Sequence, residues 1–246
     1  MSTIVQKVGL AVVGAVLALG LATDFATGTA EAAPVPQARG DVIDPGRMYG
    51  DPTASARFWQ RQSLDDCALM AAADVIGELT GHEPTEREII AMAQWLPSQS
   101  HAGPIYNLPT NMNDPDHTGH GSDPNDLPVL LWHYGITAVM TEGGDPDTSG
   151  ATAMEQLERY LAGGHKVIVG VNAELIWGEP VETKDREGDP VADHAVVVTG
   201  VATANGKVHL NDSGIDGGRD ETISLELFAK AWATSGNQMI VTENAR

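Results

Sequence analysis

A single cysteine, Cys67, is the residue with the most distinctive chemistry in this sequence. A lone cysteine cannot form an internal disulfide or a multi-cysteine zinc site, so it is either a buried small residue or a reactive thiol. Cys67 begins a predicted helix over 67–80, and the free N–H groups and dipole of a helix N-terminus stabilise a thiolate. Asp65 and Asp66 oppose that effect by their charge. A reactive Cys67 therefore needs a basic partner.

The best candidate for that partner among the eight histidines is His194. It precedes the most apolar predicted strand, 195–201, and a polar side chain at the end of a buried strand is typical of the edge of a site. His209 lies inside the next predicted strand, where a position on the sheet surface is more common. We therefore predict that His194 is the base.

The hairpin between the predicted strands 195–201 and 207–211 selects the third residue. A loop of five or three residues gives an even register, which places His194 and Asp212 on the same face of the sheet and Asn211 on the other. A two-residue turn gives an odd register and separates them unless a bulge intervenes. We predict an even register, with Asp212 orienting His194.

Two glutamines, Gln60 and Gln62, precede the cysteine. A side-chain amide in this position can donate to a developing oxyanion beside the N–H group of Cys67. The spacing alone leaves the choice between them open.

Four segments carry a resemblance to a known family: 62–71, 157–171, 194–201 and 211–214. They resemble the double-glycine, bacteriocin-leader type of cysteine peptidase, a branch of the papain-like superfamily, and the likeness covers most of residues 58–243. It implies a Cys-His-Asp triad of Cys67, His194 and Asp212, with Gln62 as the oxyanion donor. It also implies a peptide or amide substrate, and no cofactor is expected.

The predicted elements favour an α+β domain in which N-terminal helices pack on an antiparallel sheet, since helices come first and hairpin-linked strands follow. We predict helices over 67–80, 85–95, 125–134, 152–161 and 225–233, and strands over 136–141, 166–171, 195–201, 207–211 and 238–242. The second helix is expected to open with a capping box formed by Thr85 and Glu88. These elements lie in one expected domain, residues 56–246.

Residues 1–32 have the pattern of a signal peptide. The run Val8–Ala22 is apolar and uncharged throughout, and Ala30 and Ala32 supply small side chains for cleavage. The Pro/Gly-rich residues 33–55 indicate a linker. We expect a protein that is secreted or held in the cell envelope, without stable membrane insertion after signal cleavage.

The composition is strongly acidic, with a net charge of -20 and a pI of about 4.5. Such a surface argues against binding nucleic acid or anionic lipid, which both require an excess of Lys and Arg. It is typical of solubility outside the cell, and a preference for basic substrates is the alternative interpretation.

A second cluster of polar residues occupies the predicted loop 97–123 and its flank. Histidine and aspartate are ligands for zinc or calcium, but their spacing matches no ligand motif. A solvated loop bordering the cleft is therefore favoured over a metal site. The cluster consists of His101, Asp114, Asp116, His117, His120, Asp123 and Asp126.

Other functions share some of these features. Peptidoglycan endopeptidases of the Cys-His-His type usually carry Asp-Cys-Ser-Gly, which the segment 66–69 does not match. A transglutaminase-like acyltransferase has the same order of Cys, His and Asp and stays open. So does a catalytically inactive secreted binding domain on the same fold, since Ala68 stands where the family usually has glycine.

Overall fold

The structure is a computed structural model that describes residues 46–111, 121–142 and 152–243. The expected signal peptide, residues 33–45 of the expected linker and the central part of the His/Asp-rich loop lie outside the described residues. Among the helices in the described ranges, none has the length and apolar character needed to cross a membrane.

Antiparallel strands form one sheet at the centre of the fold. They are β1 (Met48–Gly50), β2 (Ala138–Glu142), β3 (Val167–Val171), β4 (His194–Ala202), β5 (Lys207–Asn211), β6 (Glu221–Ser224) and β7 (Gln238–Thr242). Their order is β2-β7-β3-β4-β5-β6, and β1 pairs with the end of β4. β3 pairs with residues 194–198 of β4, and β1 pairs with residues 200–202 of the same strand. The two strands therefore follow each other along one edge of β4.

The helices are α1 (Pro52–Ser55), α2 (Cys67–Thr80), α3 (Glu86–Trp95), α4 (Leu127–His133), α5 (Ala153–Ala162), α6 (Ala173–Trp177) and α7 (Leu225–Ala233). The predicted bounds of α2 and α7 are confirmed. Thr85 and Glu88 form the capping box expected at the start of α3, where each side chain bonds the backbone N–H group of the other residue. A second such box, from Thr152 and Glu155, begins α5.

Apolar helix faces cover both sides of the sheet. One side carries α2, α3 and α4, which bury Leu69 and Ile76 against the sheet residues Ile168 and Val197. The opposite side carries α5 and α7 with Trp232 at their centre. The predicted α+β architecture with helices packed on an antiparallel sheet is confirmed, and the second helical layer explains why the central strands are apolar on both faces.

Part of the segment expected to be a linker belongs to the fold. Residues 48–55 form β1 and α1, and Tyr49 is buried in the second core. Asp51 caps α1 by accepting from the N–H group of Ala54, and Pro52 begins that helix. The linker prediction is wrong for these residues, because a three-residue strand and a four-residue helix leave no periodic pattern in a Pro/Gly-rich sequence.

The β4–β5 hairpin has the expected even register near His194, but its loop length differs from the predicted one. Ala202 pairs with Lys207, so the loop has four residues, 203–206, and the register next to it is odd. A bulge between Val198 and Gly200 inserts one residue, after which Val197 pairs with Asn211 in an even register. The predicted loop length is wrong, and the predicted parity beyond the bulge is confirmed.

Candidate active site

Cys67 is the first residue of α2 and lies at the free N-terminal end of that helix. Twelve of the fourteen residues of α2 are buried, which fixes the helix against β4. Asp66 occupies the N-cap position but its side chain makes no capping hydrogen bond. The N–H groups of the first turn therefore remain available to an anion near the Cys67 sulfur.

His194 is the first residue of β4, opposite Val171 of β3, and only 5% of its side chain is exposed. Its Nε2 atom lies 2.6 Å from Oδ1 of Asp212. Since the Asp212 carboxylate accepts from Nε2–H, the other ring nitrogen, Nδ1, is left for the thiol. The strand end thus presents one nitrogen of the ring to a carboxylate and one to the cleft.

Asp212 directly follows β5 and is fully buried. Its Oδ1 also accepts from the backbone N–H of Gly214 at 2.7 Å, and its Oδ2 accepts from Nε1 of Trp177 at 2.8 Å. Burial alone would raise the pKa of Asp212, but hydrogen bonds and the charge of His194 hold it below its usual value. The carboxylate is fixed and ionised beside the imidazole.

Asn211, the neighbour of Asp212, faces the opposite side of the sheet, as the even register requires. Its amide nitrogen donates to the carbonyl of Ser55 and to Oδ2 of Asp74, inside the core under α2. The two adjacent residues therefore serve different parts of the molecule: Asp212 holds the histidine, and Asn211 holds α1 and α2.

Cys67 and His194 meet at one cleft and interact through charge and a hydrogen bond. Burial by itself would lower the pKa of His194, but the charge on Cys67, the bond to Asp212 and the bond to Cys67 raise it to about 10. A protonated imidazole beside the sulfur stabilises a thiolate. The raised pKa of His194 therefore keeps a protonated imidazole beside the sulfur at neutral pH.

Gln62 lies next to the carboxylate side of the site. Its amide oxygen accepts from the hydroxyl of Ser213 at 2.7 Å, and its amide nitrogen donates to the carbonyl of Leu64 at 2.9 Å. Gln60 donates instead to the carbonyl of Pro84. Gln62 is thus the glutamine tied to the segment that bears Asp212, and its role as oxyanion donor stays a prediction.

Sequence reasoning missed the residues that surround the histidine–carboxylate pair. The ring of Trp177, at the end of α6, lies 5.3 Å from the ring of His194, centroid to centroid. Gly214 allows this approach, because a Cβ atom there would come within 2.6 Å of Trp177 and 2.9 Å of His194. Trp59 donates from Nε1 to the Asp212 carbonyl at 2.6 Å. Only the glycine beside a strand end gave a sequence signal.

An open cavity of about 560 Å³ lies beside Cys67 and His194. Its floor is apolar and includes Leu127, Ile168 and Ile240. Across the described ranges, no group of three or more His, Cys, Asp or Glu side chains is placed to hold a metal ion. The cavity can accept an extended chain or a side chain next to the sulfur.

The His/Asp-rich loop is described only in part. Asp126 is buried and accepts from the N–H group of Gln99 at 2.6 Å, while Asp123 caps the short helix that precedes α4. His101 is exposed. Asp114, Asp116, His117 and His120 lie outside the described residues.

Helices packed on an antiparallel sheet, with a cysteine at a helix N-terminus and a histidine on a strand beside it, form a papain-like fold. The model of the Peptidase_C39 like family matches residues 57–240. The chain belongs to that family, and the resemblance in the sequence is confirmed.

The chain is also similar to curated proteins and to solved structures. Uncharacterized proteins of Mycobacterium tuberculosis (Rv1268c) and Mycobacterium bovis (Mb1299c) are each 56% identical over 198 residues, covering 80% of this chain and 85% of theirs. A crystal structure from Bacillus anthracis, described as a C39-like peptidase, shares the fold. Its TM-score is 0.53 at 18% identity, over 81% of this chain and all of that one. For a double glycine motif protease bound to a leader peptide, the TM-score is 0.42 at 12% identity, over 74% of this chain and 87% of that one.

Proposed function

We propose that this protein is an exported cysteine hydrolase that cleaves peptide or amide bonds, with Cys67 as nucleophile, His194 as base and Asp212 as the residue that orients the base. The observation that carries the proposal is the 2.6 Å contact between Nε2 of His194 and the buried Asp212, which leaves Nδ1 for the thiol. Membership of a peptidase family supports the reaction class.

The chemistry follows from that geometry. The Cys67 thiolate attacks the carbonyl carbon of the substrate, and the electron pair of the C=O bond moves to oxygen. The N–H group of Cys67 stabilises this oxyanion, and the Gln62 amide is our candidate for a second donor. When the tetrahedral intermediate collapses, the imidazolium of His194 protonates the leaving amine. Neutral His194 then takes a proton from water, the hydroxide attacks the thioester, and the acid product leaves with the thiol restored.

Asp212 contributes to each proton transfer without giving up its own charge. It fixes the ring through Nε2, so that Nδ1 faces the sulfur, and it stabilises the imidazolium that forms. Trp177 and Gly214 hold the carboxylate in turn.

The test is turnover of a peptide library, together with labelling of Cys67 by peptidyl electrophiles read by mass spectrometry. Cys67→Ala should abolish both, and Asp212→Ala should lower kcat by about a hundredfold or more because the base is misoriented. Asn211→Ala is the matched control, since Asn211 faces the core; it should lower the melting temperature more than the turnover of the folded fraction.

A wild-type protein that neither turns over peptides nor reacts with peptidyl electrophiles would contradict hydrolysis and favour the inactive binding domain. Equal, mild losses for Asp212→Ala and Asn211→Ala would remove Asp212 from the proposed triad.

We also propose that the mature protein acts outside the cytoplasm, in secreted or envelope-associated form. The apolar run Val8–Ala22 followed by Ala30 and Ala32 supports this assignment. N-terminal sequencing of the protein recovered from the culture medium or the cell envelope should find a start near Ala33, and an intact Met1 would contradict it.

A further inference from the structure

The cavity beside Cys67 has an uneven distribution of charge. Two carboxylates, Asp65 and Asp193, line it, while no Lys or Arg side chain is among its described lining residues. They approach the reactive pair from two different elements: Asp65 precedes α2, and Asp193 precedes β4. The excess of acidic residues in the whole chain is therefore also found locally, in the lining of the cavity at the proposed site of reaction.

Asp193 is held in place at the rim of the cavity. Its Oδ1 accepts from the N–H group of Ala173, the first residue of α6, at 2.9 Å, and its own N–H group donates to the carbonyl of Val171. These bonds fix the carboxylate while the residue stays exposed to solvent. Its second oxygen makes no hydrogen bond with another described residue.

Asp65 is half-buried and makes no hydrogen bond or ion pair with another described residue. The nearest acidic neighbour, Asp66, is turned inward: burial, followed by the charge of Glu86, raises the pKa of Asp66 to about 7. Asp65 is thus the member of this acidic pair that faces the cavity.

The catalytic pair does not offset these charges. The pair of Cys67 and His194 carries no net charge whether the shared proton lies on sulfur or on nitrogen, so the two carboxylates give the cavity a net negative potential. An acidic group entering it is repelled, and a cation is attracted. The apolar floor formed by Leu127, Ile168 and Ile240 suits an aliphatic stem, as in side chains that bury their methylene groups and keep a charged end near solvent.

We propose that this cavity selects substrates that carry a positive charge on an aliphatic stem next to the bond that is cleaved, as in peptides or amides of lysine, arginine or another diamino acid. Asp65 and Asp193 are the residues that recognise the charge. The part of this inference that concerns cleavage rests on the proposed function; the preference of the cavity for cations does not.

The preference for cations is tested without turnover, on the Cys67 sulfur itself. Two methanethiosulfonates of similar size, 2-aminoethyl (a cation) and 2-sulfonatoethyl (an anion), each form a mixed disulfide with the thiolate and release methanesulfinate. Their second-order rate constants at Cys67 are measured and divided by those for a small free thiol. We expect a normalised ratio of cation to anion of about tenfold or more at low salt, which decreases as salt screens the carboxylates.

Asp65→Asn and Asp193→Asn should each lower this ratio, and the double variant should lower it most. Asn at position 193 keeps an acceptor for the Ala173 N–H group, so the fold of the rim is preserved. Glu226→Gln is the matched control, because it removes one exposed negative charge on α7, away from the cavity. A ratio near one, or equal decreases in all three single variants, would overturn the proposal.

The substrate arm uses the peptide library. Bonds cleaved by the wild-type protein should have Lys or Arg beside them, and replacing that residue by norleucine, which keeps the stem and removes the charge, should lower kcat/KM by about tenfold. Cleavage that ignores this change would overturn the selection of substrates. The ratio of cation to anion rate constants could be high and depend on the two carboxylates in a protein that cleaves no peptide. That result would support the preference of the cavity for cations and contradict the proposed hydrolase function.

Discussion

The ring of Trp177 contacts the two proposed catalytic partners of the thiol at once. Its N–H group donates to Asp212, and its ring packs against the ring of His194 at an interplanar angle of 60°. A hydrogen bond to a carboxylate both fixes the direction of that group and keeps its pKa low. In the proposed reaction Trp177 is therefore a positioning residue, which acts through Asp212 and His194.

We predict that Trp177→Phe lowers kcat by about tenfold with little change in KM, because one hydrogen bond to a buried carboxylate is lost while the packing on His194 is largely kept. The pKa of Asp212 should rise, since the bond from Trp177 is one of those that lower it. The acid limb of the pH–kcat profile should move to higher pH. Trp132→Phe, at a solvent-exposed ring, is the control. A change in KM alone would assign Trp177 to binding.

The residues of the site differ in how far the sequence identified them. Cys67 and His194 were predicted from their positions at element ends, and Asp212 from hairpin parity. Trp177 and Trp59 carry no such signal, because their contacts with Asp212 span 35 and 153 residues and depend on how α6 and the N-terminal segment pack. Local patterns predict which side chains share an element, and tertiary packing decides which of them meet.

At the scale of elements, the register of the β4–β5 hairpin decides whether Asp212 and His194 lie on the same face of the sheet. The pairing is odd next to the loop and even toward the strand ends that carry the site. The extra residue Thr199, which has no partner in β5, accounts for this change. A shift of one residue moves every side chain of a strand to the other face of the sheet. The bulge is therefore part of the site, although it lies several residues from the chemistry.

We predict that deletion of Ala195 abolishes turnover and lowers the melting temperature, because His194 then moves by one residue to the other face of the sheet while the pairs from Val197 to the loop are kept. Insertion of one glycine between Ala204 and Asn205 is the control, since both are exposed and lengthening a surface loop costs well under about 1 kcal/mol. The insertion should leave turnover close to that of the wild type. Activity that survived the deletion would show that the hairpin can restore its own register.

The long helices were predicted from the sequence, and several short elements were not. The fourteen residues of α2 and the nine of α7 have clear apolar periodicity, and their bounds are as predicted. β1, α6 and β6 have three to five residues each and were missed. Such short segments take their structure from strand pairing and caps, which depend on distant parts of the chain.

For the whole molecule, buried carboxyl groups link stability to pH. Burial, as the largest cause, raises the pKa of Asp66, Glu83 and Glu221 to about 7. Between their ordinary values and pH 7 these groups hold a proton in the folded state and lose it on unfolding, so stability rises as pH falls. His194 acts in the same direction, since its raised pKa contributes stability at low pH that is lost as pH rises toward 10.

We predict that the melting temperature increases from pH 8 to about pH 5. It should fall again below about pH 4, where protonation of Asp212, whose pKa is lowered, removes the stability that its charge contributes. Thermal unfolding followed by circular dichroism measures this profile. Asp66→Asn should stabilise the protein at pH 8 and have little effect at pH 5. A melting temperature that fell steadily from pH 8 to pH 5 would contradict this account.

Among the described strands, β1 is the first to be synthesised, yet it pairs with a strand made much later. Met48 of β1 pairs with Ala202 of β4, and Cys67 meets His194, which begins the same late strand. A chain that emerges from the ribosome N-terminus first must therefore wait until β4 has emerged before either contact forms. A nascent or truncated chain carries its thiol without its imidazole. The proposed reactive pair therefore assembles only after β4 has been synthesised.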